Sequence, residues 1–233
     1  MSNDLAQYNQ MAAIWWDPNG PFALLHELVP VRLRFFDQFV PHWTQLTALD
    51  VGCGGGFMAE ALSQRGAQVV GIDIAEDLLA VATTHGQSKQ LNIHYQVGSA
   101  YSLPFKDESF DHVVCVDVIE HLENKKRAIQ EIYRVLKPGG YFLFDTISKS
   151  FLSKWVSVFL MEKILKQIPK NTHDWSLFIT PENLGRLLKE CGFNELNFSG
   201  TKPVSFFPKI KLGLGKSTQM LYLGSARKIS YEE

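Results

Sequence analysis

The sequence predicts a three-layer α/β fold in which a mainly parallel, seven-stranded sheet is covered by helices on both faces, and three observations predict it. Short β-branched runs alternate with helical patterns through the middle of the chain. The first run, Leu46–Val51, leads into a cluster of glycines that opens a helix, and the second closes on an acid, Asp73. At 233 residues, 45% apolar and 20% charged, the chain is long enough to bury one full α/β core.

Strands are expected at about 46–51 (LTALDV), 68–72 (QVVGI), 92–97, 111–116 (DHVVCV) and 141–146 (YFLFDT), and two more near 193–199 and 218–226 complete the sheet. Between them, helices are expected at 57–65, 76–86 and 124–136. The last is stopped by Lys137-Pro138-Gly139-Gly140, where proline and glycine turn the chain. A helix at 181–191 begins at Thr180-Pro181-Glu182, a cap with proline at N1, and closes at Gly192. A lead of residues 1–45 comes first, with the aromatic stretch Ile14–Phe22 and a helix at about 28–40; the α/β domain spans 46–233 with an insertion at 147–180. Loops beyond the carboxyl ends of strands form the ligand crevice of such sheets, so the lead and the insertion are the expected seats of specificity.

A formal net charge of −1 provides no global attraction for a polyanion, so no nucleic-acid partner is expected. The three cysteines, Cys53, Cys115 and Cys191, are widely spaced and lack a metal-knuckle pattern, which fits a reducing, cytoplasmic compartment. The first residues, MSNDLAQYNQ, lack a basic region followed by an apolar stretch, and no run approaches the roughly 18 apolar residues of a membrane span. A secreted or transmembrane protein is therefore not expected.

The strongest signal is Leu49-Asp50-Val51-Gly52-Cys53-Gly54-Gly55-Gly56 between a strand and a helix, because glycines let the backbone turn tightly and approach a ligand. Asp73 stands twenty-one positions after Gly52, in Gly71-Ile72-Asp73-Ile74, where a carboxylate can accept from both hydroxyls of a ribose. Together they point to an adenosine-containing ligand. A dinucleotide fingerprint needs a third glycine, GxGxxG, where the helix meets a pyrophosphate, and this chain has Phe57 there.

The loop instead resembles the GxGxG motif of class I S-adenosylmethionine-dependent methyltransferases, a Rossmann-like superfamily whose cofactor has no phosphate. That resemblance places Asp50 near the methionine end of the cofactor and makes Cys53, Gly54 and Ile74 further expected cofactor contacts. Gly98-Ser99-Ala100 with Leu103-Pro104-Phe105, then Phe110-Asp111, then Leu136–Gly140 agree with the superfamily in order and spacing. Many relatives have an aspartate at Ser99 to hold the adenine amino group; with the serine, Ser99 and Ala100 are the expected adenine contacts.

The resemblance is closer still to the ubiquinone-biosynthesis O-methyltransferases, from about residue 8 to 200. It is carried by Trp15–Phe22, Leu25-His26, Val31-Arg32-Leu33, Asp117-Val118-Ile119-Glu120-His121, Phe144-Asp145-Thr146-Ile147 and Pro169–Trp175. It implies that Arg32, Gly52, Asp73 and Val116 contact the cofactor, with Arg32 pairing its carboxylate through a planar guanidinium. It also implies a polyprenylated phenol as substrate, 3-demethylubiquinol or 2-polyprenyl-6-hydroxyphenol, and other quinone-biosynthesis enzymes as partners. Two further readings stay open: a methyltransferase of this fold acting on another hydroxylated or aromatic acceptor, and a silent module that only binds the cofactor.

A sulfonium methyl is already activated, so the remaining problem is deprotonating a phenol whose pKa lies near about 10. Asp117, Glu120 and His121, at i, i+3 and i+4, would share one face of a helical turn and could bind Mg²⁺ or Zn²⁺; members of the family that need a metal carry a similar pattern. The same pair Asp117 and Glu120 also reads as a capping box. His121 and, in the insertion, His173 are the candidate general bases.

Phe151, Leu152, Trp155, Val156, Phe159, Leu160, Ile164 and Ile168 form an apolar stripe with Lys149, Lys154, Lys163, Lys166 and Lys170 around it. That pattern describes either a helix lying on an anionic membrane through residues 149–170, at the inner face, or an amphipathic lid packed on the core. Residues 202–209 offer a second such contact.

Overall fold

The computed structural model describes residues 11–153, 174–205 and 211–229. The strands are β1 (Thr47–Val51), β2 (Gln68–Asp73), β3 (Ile93–Val97), β4 (Phe110–Cys115), β5 (Leu136–Ile147), β6 (Phe193–Ser205), β7 (Lys211–Gly215) and β8 (Leu221–Lys228). They form one sheet in the order β3-β2-β1-β4-β5-β8-β6-β7. The first five pair in parallel, whereas β8 runs antiparallel to both β5 and β6, and β7 antiparallel to β6. The order reverses between β1 and β4, and a crevice opens at such a switch point beyond the carboxyl ends of the strands.

The helices are α1 (Ala23–Phe36), α2 (Phe57–Ser63), α3 (Glu76–Ser88), α4 (Lys125–Val135) and α5 (Pro181–Glu190). The expected cap of α5 forms: the Thr180 hydroxyl accepts from the Asn183 amide at 3.3 Å with Pro181 in the first turn. Asn124 caps α4 in the same way, accepting from Arg127 N at 3.1 Å.

Alternation along the strands builds two cores. Leu49, Val113, Cys115, Phe142 and Phe144 bury against α4 and α5, together with Ile129, Leu184 and Leu188. Ala48, Val114, Val116 and Leu143 bury on the opposite face with Leu33 and Phe36 of α1 and Met58 and Leu62 of α2. The same alternation places Asp50, two residues after Ala48, and Asp145, two after Leu143, on the α1 side of the sheet. A third cluster, Ala12, Trp15, Phe22, Phe57, Ala75 and Leu78, docks the lead onto α2 and α3.

Three expectations are corrected. Among the described residues the sheet has eight strands rather than seven, because β6 runs on to Ser205 and its second half pairs with β7, a short edge strand containing Gly213 and Gly215 that has no strong β signature. The helix expected at 28–40 is Ala23–Phe36, with Pro30 inside it, since burial of Leu28, Val31, Phe35 and Phe36 outweighs the donor that proline lacks. Lys137–Gly140 is a bulged entry into β5 rather than a free turn: Leu136 pairs with Phe110, and a Cβ on Gly140 would sit 2.4 Å from the Asp111 carbonyl.

Gly224 of β8 shows how closely these layers fit. A Cβ there would lie 2.2 Å from the ring of Phe144, which is fully buried and cannot retreat. Gly224→Ala is therefore expected to destabilise the protein by roughly 1–3 kcal/mol through overpacking, measured by urea unfolding.

Candidate active site

The glycine loop is clamped to the end of β2. The amides of Gly52 and Cys53 donate to the Ile72 carbonyl at 2.7 and 3.1 Å, and Gly52, Gly54 and Gly56 take positive φ of 73°, 49° and 96°. Asp73 completes the clamp, its Oδ2 accepting from the Gly54 amide at 2.8 Å and its Oδ1 from the Ala75 amide at 2.9 Å. Burial raises the Asp73 pKa in spite of these amides. Each oxygen retains a lone pair, so the carboxylate both shapes the loop and can accept from further hydroxyls. Gly52 is roofed by Val118, whose Cγ2 lies 2.3 Å from where a Cβ would be, so only glycine leaves room there.

Asp50, in the middle of this wall, is 1% exposed, and neither of its oxygens has a hydrogen-bond partner. Burial pushes its pKa up to about 7, the neighbouring Asp73 adds to the rise, and the Arg32 charge pulls against it. A buried carboxyl without a partner is costly, and a cationic ligand group would remove the cost. An orphaned acid, a second carboxylate at Asp73 with lone pairs to spare and a glycine loop between them fit S-adenosylmethionine, whose amino group is a cation and whose ribose carries hydroxyls.

Arg32 of α1 is 1% exposed and reaches the switch point from the helix side. Its Nε donates to Asp145 Oδ2 at 2.6 Å and its Nη2 to Asp117 Oδ2 at 2.5 Å. Asp145 Oδ1 accepts from the Asp117 backbone amide at 2.8 Å. Val116, just before this cluster, is buried in the core on the α1 side of the sheet. Burial raises the Asp145 pKa to about 6 against the pull of Arg32.

In this arrangement Asp117 and Glu120 of the expected metal set, Asp117, Glu120 and His121, point to different partners. Asp117 lies at φ +55°, outside the turn that follows it, and its side chain goes to Arg32. Glu120, 1% exposed, turns inward and accepts from the Thr146 hydroxyl at 2.8 Å. Among the described residues no three His, Cys, Asp or Glu side chains converge on a metal position, so these residues do not fit Mg²⁺ or Zn²⁺. The capping box does not form either, because the turn Ile119–His121 starts from Val118, which makes no side-chain cap. His121 is half-buried at the end of that turn, and His173 lies outside the described residues.

On the far wall Ile74 is half-buried, Ala100 is buried, and the Ser99 hydroxyl accepts from the Tyr101 amide at 3.2 Å, which holds the Gly98–Ala100 turn. Val97, in register with Asp73 and 51% exposed, stands beside them.

Sequence reasoning gave the lead's tandem tryptophans no individual role, and the structure does. The Trp15 ring covers Gly54 and Gly55, where a Cβ on Gly55 would lie 2.3 Å from Cδ1. Trp16 Nε1 donates to the Gly55 carbonyl at 3.0 Å, and its ring stacks on His85 at 3.6 Å, which in turn meets Glu60 at 2.7 Å. The last glycines of the loop thus accommodate the lead. The two tryptophans stand about forty residues or more from these partners, and no local pattern announces them.

A family model described as a methyltransferase domain matches residues 49–144. The chain is 32% identical to the ubiquinone biosynthesis O-methyltransferase of Burkholderia pseudomallei, covering 97% of both chains. It is 35% identical to the enzyme of the same name from Leptothrix cholodnii, over 97% of this chain and 96% of that one. The relative of that name from Coxiella burnetii is 34% identical, over 94% and 93%. Among solved structures, a SAM-dependent methyltransferase of Thermotoga maritima, described as a possible histamine N-methyltransferase, superposes with a TM-score of 0.70 at 22% identity, covering 97% of this chain and all of that one. A SAM-dependent methyltransferase of Aquifex aeolicus gives 0.64 at 17% identity, over 98% of this chain and all of that one. These two likenesses bear on the fold.

Asp50 is expected to make ligand affinity depend on pH. The folded, ligand-free chain keeps its proton up to about pH 7, whereas an unfolded chain loses it near pH 4, so ligand-free stability falls as pH rises between these values. Asp50→Asn is expected to remove that fall, leaving the ligand-free protein more stable at pH 8 by roughly 1–4 kcal/mol. The affinity for S-adenosylhomocysteine, by calorimetry, is expected to rise from pH 6 to 8 in the native chain and to be weak and flat in the variant. Equal slopes would remove Asp50 from the site.

Proposed function

Because the chain belongs to the ubiquinone biosynthesis O-methyltransferase family and is an S-adenosylmethionine-dependent methyltransferase, we propose that it methylates a phenolic oxygen of a polyprenylated quinone precursor, 3-demethylubiquinol and 2-polyprenyl-6-hydroxyphenol. The observation that carries this reading is the identity of 32 to 35% over nearly the whole chain, lead included, to enzymes of that name.

The bound cofactor supplies an activated methyl group, and the residues bind, orient and move a proton. Asp73 takes the ribose hydroxyls over the Gly52–Gly54 backbone, and Ile74, Ser99 and Ala100 border the adenine. Asp50 meets the ammonium group, and Arg32 meets the carboxylate with Val116 beside it. His121, half-buried after β4, takes the phenolic proton, the general-base role for which imidazole is the commonest side chain. His173 is the alternative base. The expected result is transfer to a prenylated catechol several-fold faster than to its unprenylated analogue. His121→Ala is expected to lower kcat by about a hundredfold with S-adenosylhomocysteine affinity retained. Full rate in that variant and in His173→Ala would leave neither as the base.

A tailed substrate is met at a bilayer surface, and the described start of the insertion supports such a contact: Phe151 and Leu152 are 76% and 46% exposed behind Lys149. Among the described residues no helix is long and apolar enough to cross a membrane, so the contact is peripheral in this reading. Most of the 149–170 stripe, and residues 206–209 of the second segment, lie outside the described residues. Co-sedimentation with anionic vesicles is expected for the native chain and at least about threefold less for Phe151→Ser/Leu152→Ser; equal binding by both would remove the membrane face.

A further inference from the structure

We propose that Asp145 is the positioning residue that sets Arg32 for the carboxylate of the methyl donor and ties that end of the pocket to the turn on the acceptor side; this rests on the cofactor reading above. Asp145 is fully buried near the end of β5 and reacts with nothing itself. Its two oxygens serve two different elements. Oδ2 accepts from Arg32 Nε of α1 at 2.6 Å, and Oδ1 accepts from the Asp117 amide at 2.8 Å.

The first bond fixes a guanidinium plane. With Nε held from β5 and Nη2 held by Asp117 at 2.5 Å, two of the five N–H groups of Arg32 are committed, and the orientation of the other three is decided by these carboxylates. An arginine left to rotate would lose the bidentate geometry that makes it a better carboxylate ligand than lysine. Arg32 also lies close enough to Asp50 to oppose the rise of its pKa, so the guanidinium and the orphaned acid belong to one end of the crevice. A zwitterionic amino-acid tail has the complementary charges.

The second bond holds a strained turn. Asp117 is a non-glycine residue at φ +55°, which persists only when its surroundings enforce it. From it the chain passes to Val118, which roofs Gly52, and on to His121. One carboxylate therefore connects the cofactor's amino-acid end with the segment that bears the candidate base.

Asp145→Asn separates the two bonds, since its amide oxygen can still accept from Asp117 while its NH₂ opposes Arg32 Nε. The probes are S-adenosylhomocysteine, which carries the amino-acid tail, and 5′-methylthioadenosine, which lacks it, each titrated by calorimetry into the native chain and the variant. The expected result is a loss of about tenfold or more for the first compound and less than about twofold for the second. Equal losses, or none, overturn the proposal. So does a native chain that binds both compounds equally, for then Arg32 reads no carboxylate. A native chain that binds neither defeats the cofactor reading itself. The ratio of the two affinities is insensitive to partial unfolding, so Asp145→Ser, with the same two titrations and the same expected ratio, replaces the asparagine variant if that one is unstable.

Discussion

A full positive charge, Arg32, is held almost out of contact with water, and the switch point of the sheet is organised around that fact. A guanidinium cannot escape burial by losing its proton, so the fold must bring acids to it. Two arrive from the ends of different strands, Asp145 from β5 and Asp117 from just beyond β4. Three elements distant in sequence are thereby joined at one place, with the interdependence that buried charges impose: removal of one partner strands the others.

The surrounding acids give the crevice a definite preference. Asp117 and Asp145 pair with Arg32, Asp50 feels its charge, and Asp73 and Glu120 stand further along the same strand ends; burial raises the pKa of Asp50, Asp73, Asp145 and Glu120. Such a pocket is poised for a ligand bearing positive charge. A sulfonium carrying an ammonium group meets that description. The same acids explain why the metal set suggested by Asp117, Glu120 and His121 does not assemble: the arginine and Thr146 already satisfy the two carboxyl groups.

The lead belongs to this site as much as the glycine loop does. Trp15 and Trp16 lie over Gly54 and Gly55, and Trp16 is fixed in turn by the His85 ring and, through it, by Glu60. The conformation of the loop and the seating of Trp15 and Trp16 are therefore set together.

The order of strands and helices, the glycine loop at the end of β1 and the acid at the end of β2 were all determined by sequence alone, because period, turn chemistry and a twenty-one-residue spacing are local properties. Seven strands could be read that way. The eighth could not, since Lys211–Gly215 becomes a strand only by pairing with the second half of β6. Tertiary structure also decided what the charged residues do: the spacing of Asp117, Glu120 and His121 suggested one shared face, but a positive φ at Asp117 and the burial of Glu120 send them in different directions. Asp145, 113 residues from Arg32, shows the reason. Which acid satisfies a buried cation depends on where strands end in space, and that is fixed by sheet order and packing rather than by neighbours in the chain.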